Sequence, residues 1–131
     1  ELPTMAFFTK MSEKINCGTL IKFSILMFCV KHALTYFATN MIMIYLAQVC
    51  QMFAYALFVP ASVYYVNEKI AVADRVKGQS LVTTSMTLSG VFANFAGGIM
   101  LDALGVGHVL LAGVILSIVG AVIVILTTEK V

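Results

Sequence analysis

Residues 108–127 read HVLLAGVILSIVGAVIVILT, a run of 20 residues without a single Asp, Glu, Lys or Arg. The hydrocarbon core of a bilayer, ~30 Å thick, requires a helix of roughly this length. Gly113, Ser117 and Ala121 recur in it at every fourth position. Residues four apart share one face of a helix, so this spacing predicts a thin face that another helix can approach closely. The rest of the segment is expected to face lipid.

Three further spans are predicted upstream of this segment. They cover residues 19–38, 41–66 and 80–104, and residues 1–9 read as the last turns of a helix whose start would precede Glu1. The span 41–66 is longer than the membrane core demands, so it must tilt or kink, and Pro60 is the expected kink site. The sequence therefore predicts an all-α, polytopic membrane helical bundle.

Composition and charge support a membrane location. Hydrophobic residues make up 61% of the chain and charged residues 11%, whereas a soluble domain carries about 25% charged residues. Six of the eight Lys and Arg residues fall on one predicted side, formed by residues 10–18, residues 67–79 and the C-terminus, and a seventh, Lys22, lies one turn into the first span at the same side. Lys and Arg favour cytoplasmic loops, so this side is predicted to be cytoplasmic in an inner or plasma membrane. The expected partners are the lipid bilayer and the missing N-terminal transmembrane helices.

Several classes of function are not expected. No basic run with interleaved aromatic residues suggests nucleic acid, and the three scattered cysteines have no metal-ligand spacing. We therefore predict no metal and no cofactor. An enzyme is not expected either, because the sequence contains no nucleophile–base pair and no metal cluster.

Polar residues on two spans are the candidate site. Gln48, Gln51 and Tyr55 share a face of the span 41–66, and Gln51 would lie about 15 Å deep, near the midplane. The span 80–104 carries a mildly polar stripe, Thr83, Thr87, Gly90 and Asn94, and on its other side a small-residue stripe, Ser85, Ser89, Ala93 and Gly97. An amide in lipid is costly without partners, so these residues predict a wet passage or ligand cavity. The alternative is interhelical hydrogen bonding that only holds the bundle together.

Charged residues inside the predicted membrane region are few. Lys31 and His32 lie near the outer end of the span 19–38, where Lys31 either snorkels to the interface or serves as a charge partner in the bundle. Glu1 would lie about 13 Å inside if its helix leaves the membrane near Lys10. A carboxyl at that depth is a candidate proton carrier, the alternative being a chain end of unknown depth.

Three stretches resemble the C-terminal part of a major facilitator superfamily transporter, most closely the branch of phenylpropionate permease and nucleoside–proton symporter relatives. QVCQ at 48–51 is similar to the branch's Gln-x-x-His in helix ten, with Gln51 in place of its His. DRVKGQ at 74–79 is similar to its Arg-x-x-Gly-Gln entry into helix eleven. GGIMLDALG at 97–105 is similar to its Gly-Gly-x-Leu-x-Asp-x-x-Gly exit.

The resemblance implies that the chain is the C-terminal part of a twelve-helix fold, with residues 1–9 ending helix eight and the four spans as helices nine to twelve. It implies a secondary active transporter that moves a small organic solute by alternating access, coupled to protons. The expected roles are hydrogen bonding to substrate for Gln48, Gln51, Tyr55 and Asn94, charge or proton coupling for Glu1 and Lys31, and a cytoplasmic gate for Asp74, Arg75 and Lys77.

Two other interpretations fit the composition. One is a small four-helix multidrug exporter that works as a dimer, although such proteins usually carry Trp, which is absent here. The other is a structural or assembly subunit of a membrane complex, which would not need amides on the span 41–66.

Overall fold

The computed structural model describes residues 8, 10 and 14–128, and four long α-helices account for most of them. These are α1 (Cys17–Tyr36), α2 (Met41–Lys69), α3 (Arg75–Leu104) and α4 (Val106–Thr127), with a short 3₁₀ helix, Val72–Asp74, between α2 and α3. Each α-helix is long and apolar enough to cross a membrane. The prediction of an all-α membrane helical bundle is confirmed.

Local sequence chemistry explains where the helices begin and end. The side chain of Asn40 accepts a hydrogen bond of 3.1 Å from the backbone N–H of Met43, which caps the start of α2. Gly105 separates α3 from α4 with φ of 81°, a left-handed conformation that glycine adopts without a steric penalty. Pro60 lies inside a continuous α2, where it removes one backbone N–H donor.

The predicted loop 67–79 is too long. Helix α2 continues to Lys69 and α3 begins at Arg75, which reduces the connection to a turn at residues 70–74, called the α2–α3 turn below. Hydropathy marks where a segment leaves lipid, but a helix continues into the polar region when its residues favour helix, as Glu, Lys, Arg and Gln do. The first span is displaced by two residues, from the predicted 19–38 to Cys17–Tyr36.

Helix α1 is the centre of the packed part of the bundle, with α2 on one side and α4 on another. Leu20 and Ile21 of α1 form a buried cluster with Leu57 and Ala61 of α2 and with Phe8. Ala47, Ala54 and Ala61 recur every seven residues of α2 and are at most 1% exposed. Their small side chains let the two helix backbones approach closely, as in other membrane helix pairs.

Helix α4 uses its predicted small-residue face against α1. A Cβ added to Gly113 would lie 3.3 Å from Cδ2 of His32, and the Sγ of Cys29 donates a hydrogen bond of 3.1 Å to the carbonyl of Ser117. Ala121 is buried. The prediction of a thin packing face on this helix is confirmed.

Helix α3 stands apart from the other three. Gly78 is its one buried residue, and Ser85 and Ser89 of the predicted small-residue stripe are exposed. The C-terminal half of that stripe, Ala93 and Gly97, lines a cleft with α1 and α4. The long N-terminal part of α3 therefore faces α2 across open space.

Candidate functional site

A groove runs between α2 and α3. It encloses about 460 Å³, and five polar side chains line it together with four apolar ones. The polar ones are Tyr55 and Ser62 of α2 and Gln79, Thr83 and Thr87 of α3; the apolar ones are Val59, Val63, Val82 and Met86. Because α2 and α3 are both membrane-spanning helices, this is a polar-lined groove within the membrane region.

Two neighbouring residues of α3 hold it against α2 near the α2–α3 turn. Gly78 is so close to α2 that a Cβ placed on it would collide with Cδ1 of Ile70 and lie 2.9 Å from Cγ1 of Val66. Gln79 donates a hydrogen bond of 2.9 Å from its side-chain Nε2 to the backbone carbonyl of Val63. Close contact thus requires glycine at 78, and the next residue ties α3 to the backbone of α2.

Several polar groups of the groove already donate to backbone carbonyls. The hydroxyl of Ser62 donates to the carbonyl of Val59 at 2.8 Å, and the hydroxyl of Thr87 donates to the carbonyl of Thr83 at 3.0 Å. Such bonds satisfy the hydroxyl proton of Ser and Thr in a membrane helix and leave the oxygen lone pairs free to accept. The same holds for the Oε1 atom of Gln79, since its Nε2 faces the Val63 carbonyl.

The groove reaches the middle of the membrane. Tyr55 lies 14 residues from either end of α2, between Met41 and Lys69. Thr87 lies 12 residues into α3, or roughly 18 Å from its start at a rise of about 1.5 Å per residue. The pairing of Gln79 with Val63 sets an antiparallel register that puts Tyr55 level with Thr87.

Among the predicted substrate-binding residues, the structure places Tyr55 in the groove and the other three outside it. The same antiparallel register puts Gln48 level with Asn94, nearer the N-terminus of α2 and the C-terminus of α3, and both side chains are exposed. Gln51 is half-buried. The helical period puts Gln48 and Asn94 on the same faces as Tyr55 and Thr87 respectively, so they extend the groove walls without lining the enclosed part.

Sequence reasoning missed two lining residues, Ser62 and Gln79, and did not choose Thr83 or Thr87 from the stripe it identified. A signal was present for three of these four. Gln79, Thr83 and Thr87 follow one another at intervals of four residues, and Arg75 precedes them at the same interval. Extending the polar stripe of α3 back to its first residue would have found the wall of the groove.

The groove continues to a second recess beside the α2–α3 turn. This recess encloses about 490 Å³ and is lined by Asn67, Arg75, Val76, Gln79, Ser80, Thr83 and Thr84. The Nε atom of Arg75 is buried and has no hydrogen-bond partner among the described residues. Lys77 forms an ion pair of 2.8 Å with Asp74 of the same turn, and both side chains are mostly exposed. Lys77 thus has a local partner within the turn, and the gate role of Asp74, Arg75 and Lys77 stays a prediction.

Lys31 does not line the groove. It lines a cleft of about 350 Å³ between α1, α3 and α4, together with His32, Thr35 and mainly apolar residues. The Nδ1 atom of His32 lies 2.8 Å from the carbonyl of Phe28. A carbonyl only accepts, so Nδ1 carries the proton. Glu1, the other residue predicted to handle charge, lies outside the described residues.

Within residues 8, 10 and 14–128, no group of His, Cys, Asp or Glu side chains is placed to hold a metal ion. Helices α2 and α3 contain no Asp, Glu, Lys, Arg or His between Met41 and Asn67 or between Gln79 and Leu101. The groove can therefore bind by hydrogen bonds and apolar contact, and its α2 and α3 walls hold no fixed charge at mid-depth.

Comparison with protein families gives a match over nearly the whole chain. The family described as Major Facilitator Superfamily matches residues 2–131. Comparison with curated proteins and with solved structures finds no match.

Proposed function

The chain belongs to the Major Facilitator Superfamily of membrane transporters, and from this premise we propose that it forms part of a secondary active transporter that moves a small organic solute by alternating access. The observation that carries the proposal is the polar groove between α2 and α3 at mid-membrane depth. A solute crossing a bilayer needs polar contacts near the midplane, where secondary transporters commonly place their site.

In this proposal further transmembrane helices of the same protein face the groove and complete the site. Tyr55, Ser62, Gln79, Thr83 and Thr87 provide one wall, and Gln48 and Asn94 extend it towards the outer side. Support for a facing partner comes from α3, whose described residues are exposed except for Gly78 and a few half-buried positions. Gln51 is half-buried and does not line the groove, and its hydrogen bond to substrate stays a prediction.

Proton coupling is also part of the proposal. The described walls of the groove contain no Asp, Glu, Lys, Arg or His at mid-depth, so we assign a coupled proton to Glu1, to Lys31 in its separate cleft, or to residues of the rest of the protein. The branch of phenylpropionate permease and nucleoside–proton symporter relatives rests on the three motifs at 48–51, 74–79 and 97–105 and stays a prediction. The location of the α2–α3 turn on the cytoplasmic side of the membrane also stays a prediction.

Accessibility of single cysteines tests whether the groove is wet. In the complete gene product, Cys17, Cys29 and Cys50 are replaced by Ala, and Thr87→Cys is compared with Ile115→Cys. Ile115 lies near the middle of α4, is 54% exposed on an apolar surface and faces away from Gly113 and Ser117, so it serves as the lipid-facing control. We expect a charged, membrane-impermeant thiol reagent to label Thr87→Cys and not Ile115→Cys.

The outcome decides between a passage and a packing surface. If both positions resist the reagent in intact membranes, Thr87 faces lipid or dry protein, and the groove cannot be a solute pathway. If Thr87→Cys reacts, uptake by the complete protein in proteoliposomes then tests transport directly.

A further inference from the structure

The hydrogen bonds within the groove limit what a solute can bring to it. Ser62, Thr87 and Gln79 each use a donor on a backbone carbonyl, at 2.8, 3.0 and 2.9 Å. Each keeps at least one oxygen that can still accept. The hydroxyls of Tyr55 and Thr83 have no hydrogen-bond partner within residues 8, 10 and 14–128, and they can also accept. Backbone N–H groups cannot compensate, because the helices use them internally. The α2–α3 groove is therefore richer in acceptors than in donors.

Charge restricts the solute further. An ammonium group on the solute would donate to these acceptors, but no carboxylate of α2 or α3 lies in the groove to balance its charge. A carboxylate or phosphate would need donors, and the groove offers three at most: the hydroxyls of Tyr55 and Thr83 and one remaining N–H of Gln79. An unpaired charge near the membrane midplane is costly.

Arg75 is too far from the part of the groove between Tyr55 and Thr87 to change this conclusion there. It lines the recess beside the α2–α3 turn and not the enclosed groove. Thr87 lies 12 residues further along α3, which separates the two by roughly 18 Å along the helix. A solute seated between Tyr55 and Thr87 is beyond the reach of its guanidinium group.

We propose that the solute presents to the α2–α3 groove an uncharged face that bears hydroxyl or N–H donors, which the oxygens of Tyr55, Ser62, Gln79 and Thr87 accept. This inference rests on the proposed function, because it assigns the chemical class of the solute at that same site. It excludes solutes that place a carboxylate, a phosphate or an ammonium group between Tyr55 and Thr87.

The first step of the test identifies the solute. The complete gene product is reconstituted in proteoliposomes with a defined mixture of neutral, cationic and anionic metabolites, each class including hydroxyl-rich members, and uptake is read by mass spectrometry. Uptake of no class contradicts the proposed function, and this inference falls with it. Uptake of any compound supports transport and leads to the second step.

The second step locates the solute's donors. Thr87→Val keeps the side-chain shape and removes the acceptor, and Tyr55→Phe removes a hydroxyl that has no partner to lose among the described residues. For each variant we expect the apparent affinity to fall about threefold to tenfold, the range of one neutral hydrogen bond. An analogue that lacks the matching hydroxyl or N–H should bind the native protein and the variant equally well.

Matched controls separate binding from folding. Ser89→Ala also removes a hydroxyl bonded to the carbonyl four residues earlier, at 2.7 Å, but Ser89 does not line the groove. It should leave affinity unchanged, and Thr87→Ser should restore it. The inference is overturned, with transport intact, if neither Thr87→Val nor Tyr55→Phe changes the affinity for the solute. It is also overturned if the affinity difference between each variant and the native protein disappears only for analogues that lack a charged group.

Discussion

The contact at Gly78 gives the sharpest test of how α3 is held. Replacing Gly78 with Ala puts a methyl group where Cγ1 of Val66 lies 2.9 Å away and where Cδ1 of Ile70 is closer still. The end of the Ile70 side chain can rotate away, but Val66 is β-branched and has little freedom about χ1 in a helix. We therefore expect the substitution to push α3 away from α2 at the α2–α3 turn.

The size of the effect follows from two opposing terms. Overpacking a close contact by one methyl group costs about 1–3 kcal/mol. Replacing glycine with alanine inside a helix contributes about 1 kcal/mol in the opposite direction. Gly90→Ala, in the same helix, gains only the helix stability that alanine adds over glycine, since no atom lies within 4 Å of a Cβ built there. The difference between the two variants isolates the clash, at about 1–3 kcal/mol.

Hydrogen–deuterium exchange of the backbone measures this locally. Amides of residues 70–80 should exchange about 5-fold to 150-fold faster in Gly78→Ala than in Gly90→Ala, which is the same free energy expressed as a rate ratio. Adding Ile70→Val to Gly78→Ala removes the colliding Cδ1 and should recover part of the protection. Equal exchange in the two alanine variants would refute the close approach of α3 to α2.

Three further changes test other contacts. Gln79→Leu removes the hydrogen bond to α2 and should lower local stability by about 0.5–1.5 kcal/mol, read as faster exchange of the same amides; unchanged exchange would mean the bond contributes nothing. Gly113→Leu should push α4 away from His32, whose Cδ2 lies 3.3 Å from the new Cβ. A lipid-soluble thiol reagent should then label Cys29, which is hydrogen-bonded to α4 in the native protein, faster. Gly120→Leu, where the new side chain meets open space, should leave the labelling rate unchanged. Lys77→Gln should change stability by less than about 1 kcal/mol, as exposed ion pairs do, and leave uptake unchanged; slower uptake at equal stability would instead support the gate.

The fold could be predicted from sequence because hydropathy and length act on each segment separately. The run at 108–127 needs no knowledge of its neighbours to be identified as a membrane helix, and its small residues at 113, 117 and 121 indicate a packing face from spacing alone. The ends of the helices could not be predicted from hydropathy and length. They depend on caps and helix propensity in the polar region, so α2 and α3 extend into the predicted loop 67–79.

The site could be predicted only in part because a groove is a property of two helices. Tyr55 was identified from its own face of α2, but Ser62 is one small polar residue among apolar ones and stands out only when α3 lies opposite. Lys31 shows the same limit. Sequence places it in the membrane near one end of α1, and only the packing of α1 against α3 and α4 assigns it to a cleft apart from the groove.

The polar residues of α3 also explain how membrane insertion and solute binding fit together. Thr87 and Ser89 both donate to the carbonyl four residues earlier, so their protons are satisfied within the helix whether they face water, lipid or protein. Self-satisfaction of this kind lets a polar helix enter the membrane without a partner. It also leaves an oxygen that can only accept. The hydrogen bond that makes these hydroxyls tolerable in lipid therefore leaves them able only to accept, so in the proposed site they favour solute groups that donate over anions, which only accept.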